Sequence, residues 1–143
     1  MVEKKRGSLT LVPTPISDLW PLNPSAFEFL ERAFTEGVTV LVEELRPIRR
    51  RWIRWGLPRE AIEQFEQYNE HNQTEMAFDI VSRMKKGESF ALLSDAGLPA
   101  FCDPGQDLVR LCHDEGILVT STAFDSAPLL AYTLSGLKGP HFF

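Results

Sequence analysis

A chain of 143 residues, 43% hydrophobic and 24% charged, can bury one good core and has the composition of an ordinary soluble domain. Its formal net charge of −5 argues against general coating of nucleic acid, although a local basic ridge can still meet phosphates. No stretch approaches the roughly 20 apolar residues of a membrane span, and the start Met1-Val2-Glu3-Lys4-Lys5-Arg6 leads into no signal-type apolar region, so a cytoplasmic protein is expected.

After a charged leader over residues 1–8, the run Leu9-Thr10-Leu11-Val12 stopped by Pro13 and Pro15 reads as a buried strand entering a rigid loop. Asn23 and Pro24 form a cap and first-turn pair for a helix with Phe27, Leu30 and Phe34 at helical spacing, closed by Gly37. Val38-Thr39-Val40-Leu41-Val42 is β-branched and continuous, as a strand covered on both faces should be. From Arg46 to Trp55, Ile48, Trp52 and Trp55 make an apolar stripe while Arg46, Arg50 and Arg54 form a basic outer ridge. Gly56, Leu57 and Pro58 break that helix, and the region through Tyr68 suits either a short helix or a strand.

Thr74 to Lys86 reads as an amphipathic helix with Met76, Ile80 and Met84 on one stripe, ended by Gly87; Phe90-Ala91-Leu92-Leu93 is the next buried strand. A Gly- and Pro-rich loop from Asp95 to Gly105 precedes a helix from about Gln106 to Glu115. Ile117-Leu118-Val119-Thr120 is then a strand, and Ser126 to Ser135 a last helix capped by Ser126 or Asp125. Cys102 and Cys112 lack metal-knuckle spacing, with only His113 nearby, and read as reduced core thiols. Strands alternating with helices specify an α/β domain over residues 9–143 with a mainly parallel sheet of about five strands. Such sheets bind ligands where the strand order reverses, beyond the strands' carboxyl ends, which singles out the loops after Val12, Val42 and Leu93.

The loop Ser94-Asp95-Ala96-Gly97-Leu98-Pro99-Ala100-Phe101-Cys102-Asp103-Pro104-Gly105 holds two carboxylates and no Lys or Arg, so it does not suit phosphate and matches no phosphate-binding glycine pattern. Its glycines allow close backbone approach, and its charge suits a ligand bearing a cation or hydroxyls; read blandly, the aspartates only cap turns.

Leu11-Val12-Pro13-Thr14-Pro15-Ile16 resembles the first-strand motif of the tetrapyrrole methylases, and Ser94-Asp95-Ala96-Gly97-Leu98-Pro99 with Asp103-Pro104-Gly105 resembles their cofactor loop. Tyr68-Asn69-Glu70-His71-Asn72 is similar to a segment of the branch that methylates ribose in ribosomal RNA. The motifs keep their order from about Leu9 to Phe143. Departures are Val42-Glu43-Glu44-Leu45-Arg46, which keeps charge but lacks the branch's aspartate and threonine, Leu98 in place of a threonine, and Ala123-Phe124-Asp125-Ser126-Ala127 in place of a proline-glycine-proline-serine turn.

The resemblance implies an S-adenosylmethionine-dependent methyltransferase, acting on ribosomal RNA or the small ribosomal subunit at a ribose 2′-hydroxyl, and a homodimer. On that reading Pro13, Thr14, Ser94, Asp95, Ala96, Gly97, Pro99, Asp103, Ser126 and Ala127 shape the cofactor side, while Glu43, Glu44, Arg46 and His71 line the acceptor side. The family has two α/β domains with the cofactor between them. This chain therefore corresponds to the amino-terminal one, with one wall of the cleft absent and an apolar surface around Leu134, Leu137, Phe142 and Phe143 expected to drive self-association. Rival readings are methylation of a tetrapyrrole, a magnesium-dependent phosphoryl-transfer or hydrolase site built from Glu43, Glu44, Asp95 and Asp103, and a non-catalytic interaction domain.

Overall fold

The computed structural model describes residues 4–101 and 104–138, and among them five strands form one sheet in which every pairing is parallel. The strands are β1 (Ser8–Val12), β2 (Thr39–Val42), β3 (Glu66–Gln67), β4 (Phe90–Leu93) and β5 (Leu118–Ser121), in the order β3-β2-β4-β1-β5. Around them lie α1 (Pro24–Ala33), α2 (Leu45–Arg54), α3 (Gln73–Lys85), α4 (Gln106–Asp114) and α5 (Ala127–Ser135), with a 3₁₀ turn over Arg59–Gln64.

The continuous apolar runs are explained by helices on both faces, because successive strand residues point to opposite sides. Leu9, Leu11, Leu41, Phe90 and Leu92 pack with Ile80 and Met84 of α3 and Leu108 and Cys112 of α4. Val12, Val40, Val42, Ala91 and Leu93 pack with Leu30 of α1 and Ile48 and Trp52 of α2. Each fully buried large side chain contributes about 1.5–3 kcal/mol, so these two layers dominate the stability. Burial pushes the Cys112 thiol up to about 12, as befits a reduced core thiol; Cys102 lies outside the described residues.

Local signals act where expected. Asn23 Oδ1 accepts a hydrogen bond from the Ser25 amide at 2.9 Å, capping α1 with Pro24 in its first turn. The ambiguous stretch before Tyr68 turns out to hold both alternatives, the 3₁₀ turn and then β3. Arg83 of α3 fixes that edge, since its guanidinium donates to Glu66 at 2.7 Å and to Glu88 at 2.6 and 2.7 Å and thereby holds the Glu88 carboxyl below the usual range. Ser126 precedes α5 as expected but makes no side-chain cap bond. Among the described residues no helix is long and apolar enough to cross a membrane.

The order of strands positions the site. From β1 the chain steps past β4 to β2 and β3 with α1 and α2 on one face, then returns to β4 and crosses to β5 with α3 and α4 on the other. The neighbours β1 and β4 therefore send their outgoing loops to opposite faces, which opens a crevice at their carboxyl ends.

Candidate functional site

The loops leaving β1 and β4 are stitched together at that crevice. The Thr14 amide donates to Gly97 O at 2.9 Å and the Gly97 amide donates back to Thr14 O at 3.0 Å, an isolated antiparallel bridge just past the parallel strands. The Thr14 hydroxyl donates to Ser94 O at 3.3 Å, and Ser94 Oγ donates to Gly97 O at 2.9 Å. Gly97 sits at φ +90°, where a side chain is strained. Against this bridge opens a cavity of about 490 Å³, lined by residues of the β1 loop, Gly97 and Ala123, Phe124, Asp125 and Ser126 of the β5 loop. Thr122, just before that last segment, keeps a buried hydroxyl without a hydrogen-bond partner.

A second tie comes from α2. Arg51, 3% exposed, donates from one guanidinium nitrogen to Pro15 O and from the other to Asp95 O, and so bridges the same two loops from beneath. Its Nε lies 3.3 Å from Asp18 Oδ1 as an ion pair without hydrogen-bond geometry, and its guanidinium stacks 5.0 Å from the Trp55 ring centroid. Asp18 also pairs with Arg50 at 3.2 Å, and its carbonyl accepts from Arg54 at 2.7 Å. Burial lowers the Arg51 pKa, opposed by the charges of Asp18 and Asp95.

Beyond β2 and β3 the arrangement is looser. Glu43 is half-buried, its carbonyl accepting from Gln67 Nε2 at 3.3 Å, while Glu44 and Arg46 stand exposed at the start of α2. The asparagines of Tyr68-Asn69-Glu70-His71-Asn72 fix a turn: Asn69 Oδ1 accepts from the His71 and Asn72 amides at 3.0 and 3.2 Å, and Asn72 Oδ1 from the Asn69 amide at 2.8 Å. The His71 side chain is 84% exposed and lies 3.6 Å from Glu70.

The sequence-derived set therefore divides. Pro13, Thr14, Gly97 and Ser126 line the cavity, and Ser94 is buried behind its floor. Pro99 is buried, and Ala96 and Ala127 are exposed; none of the three lines the cavity. Asp95 turns toward β2, where its carboxylate accepts from the Glu44 amide, and burial raises its pKa. Glu43, Glu44, Arg46 and His71 lie apart from the cavity lining, and Asp103 lies outside the described residues. Ile16, Trp20, Asn23 and Phe124 line the cavity without having been singled out, and Arg51 was missed although its spacing places it on the inward stripe with Ile48 and Trp55. No group of three or more His, Cys, Asp or Glu among the described residues is placed to hold a metal ion. Of the apolar surface expected near the end of the chain, Leu137 is 63% exposed and Leu134 half-buried, while Phe142 and Phe143 lie outside the described residues.

No protein-family model matches the chain. Curated relatives do. The chain is similar to "Ribosomal RNA small subunit methyltransferase I" of Xylella fastidiosa, 35% identical over 95% of this chain and 47% of that protein. Proteins of the same name from Mesorhizobium japonicum (38% identical, 94% of this chain, 43% of that protein) and Haemophilus influenzae (32%, 95% and 45%) match in the same way. The chain spans about half the length of these relatives. With a parallel α/β sheet and both motif loops meeting at its carboxyl edge, the chain has the fold and motifs of the tetrapyrrole methylases and is similar over almost its whole length to about half of these ribosomal RNA small subunit methyltransferase I proteins.

Proposed function

We propose that this chain forms one wall of the S-adenosylmethionine cleft of a ribosomal RNA methyltransferase whose acceptor is a ribose 2′-hydroxyl, the facing wall being a second α/β domain. The observation that carries the reading is the Thr14–Gly97 bridge, which holds two separate motif loops edge to edge beside the cavity at the switch point of the sheet. The cavity suits the cofactor: its volume lies within the roughly 300–1,000 Å³ of small-molecule sites, and its walls are mainly apolar. The relatives' names support RNA over a tetrapyrrole as acceptor.

Bound S-adenosylmethionine would supply a methyl group activated by its sulfonium. The protein has then to place an acceptor hydroxyl in line with that methyl and receive its proton. Pro13, Thr14, Gly97 and Ser126 hold the cofactor, Ser94 and Pro99 fix the shape of the loop, and Ala96 and Ala127 flank it. Asp95 acts from behind, through the loop that Arg51 holds. Glu43, Glu44 and Arg46 at the end of β2 orient the acceptor strand, and His71 meets it farther out.

Calorimetric titration of the 143-residue chain with S-adenosylmethionine tests this. With one wall present, binding is expected to be weak, with a Kd of about 0.1–1 mM. Gly97→Val, which strains the bridge, and Thr14→Val, which removes only the hydroxyl, should both weaken it. Wild-type binding that is absent at millimolar cofactor, or that both variants retain unchanged, rejects the assignment.

A further inference from the structure

The outer face of α2 is strongly basic in a chain whose net charge is −5. Arg46, Arg49, Arg50 and Arg54 are all exposed, and at 3.6 residues per turn they fall within an arc of roughly 140°, with only Ile53 among them. Arg50 and Arg54 lean on Asp18 of the β1 loop, while Arg46 and Arg49 meet no carboxylate at ion-pair distance among the described residues. Next to this ridge is a notch of about 300 Å³ between Trp20, Phe27, Arg54 and Trp55. Trp20, 56% exposed, lines both this notch and the larger crevice. Arg54 thus joins the ridge to the notch, and Trp20 joins the notch to the crevice.

We propose that the arginine face of α2 and the Trp20–Trp55 notch form a track for single-stranded RNA, phosphates on the arginines and one unstacked base in the notch, which leads the strand into the crevice; this rests on the methyltransferase reading of that crevice. Arginines in a row meet the regular phosphate spacing of a nucleic acid, and aromatic faces take bases without regard to sequence. A helical protein partner would call for an apolar stripe, and this face offers one isoleucine among four arginines. A duplex keeps its bases stacked and cannot fill the notch.

The test is fluorescence anisotropy with a labelled single-stranded RNA of about 12 nucleotides, titrated with the 143-residue chain at several salt concentrations. Arg49→Gln combined with Arg50→Gln should weaken binding about tenfold near 0.1 M salt and flatten the log K against log salt slope by about 1.4, two contacts at about 0.7 each. Replacing the same pair by lysine should restore most of the slope. Trp20→Ala should weaken binding about tenfold with the slope unchanged. The track is refuted if the wild type does not bind, if neither variant changes the affinity, or if poly-glutamate of equal length binds as tightly, which points to an acidic protein partner instead. Titration of the wild type with S-adenosylmethionine is read separately: cofactor binding that fails while the RNA results hold rejects the crevice assignment and leaves the track.

Discussion

Around β1 and β4 the outgoing loops are held by main-chain bonds in both directions and by a buried arginine below, whereas around β2 and β3 the equivalent positions carry Glu44, Arg46 and His71 in solvent. The first region is shaped before any ligand arrives, and a preformed pocket loses little ordering entropy on binding. The second keeps free side-chain rotamers that can follow a large, variable acceptor. Under the proposed function the contrast divides the work of a two-substrate site: a rigid half for a small molecule that is always the same, and an adaptable half for a macromolecule.

Arg51 is the link on which that contrast depends, so Arg51→Met should have the largest effect. It leaves Pro15 O and Asp95 O without their charged partner and Asp18 with Arg50 alone, at a cost of about 3 kcal/mol, the low end for breaking a buried pair because Asp18 is half-exposed, can rehydrate and keeps one arginine. Arg51→Lys should not rescue, since an ammonium cannot serve two carbonyls through one planar fork. Urea denaturation measures both; a loss of Arg51→Met below 0.5 kcal/mol or so would mean that the loops hold themselves.

A smaller effect of opposite sign is expected from Asp95→Asn. Burial raises the Asp95 carboxyl above its ordinary value, the Glu44 amide partly offsets this, and its Oδ1 is buried without a partner. With the folded pKa raised, the native state binds more protons than the unfolded one between the two values, so stability falls as pH climbs from about 4 through the folded pKa. Asparagine keeps an oxygen for the Glu44 amide and removes that decline, so the variant should melt above wild type at neutral pH and no higher below pH 4. A deficit that grows with pH would show that the carboxylate is favourably held.

The smallest effect belongs to His71→Ala, within about 0.5 kcal/mol of wild type in thermal melts, because the turn is fixed by Asn69 and Asn72 and not by the imidazole. A larger loss would move His71 into the rigid half.

Much of this was readable in the sequence where one cause dominates. Leu9–Val12 and Phe90–Leu93 are uninterrupted because both faces of the sheet are covered, and Thr14 and Gly97 stand out because strand ends carry the ligand loops. β3 was readable only as one of two alternatives: Glu66-Gln67 is polar and two residues long, and exists because Leu41 and Val42 offer an edge. Arg51 was hidden by its charge, though its position on α2 is that of a core residue. Trp20 and Ile16 reach the crevice by the path of an irregular loop, which has no periodicity to betray it.

The bridge between Thr14 and Gly97 also limits the donors available to a ligand. Both amides are already committed to each other's carbonyls, the Ala123 amide is committed to Ser25 Oγ, and Pro13, Pro15 and Pro21 have no N–H to offer. With Trp20, whose amide donates to Ser17 O, seven of the twelve residues that line the crevice thus offer no free main-chain donor, and Asp125 adds a carboxylate. A glycine loop that cradles phosphate points its amides at the anion; this one points them at its neighbour, so its polarity rejects anions and favours a positively charged guest.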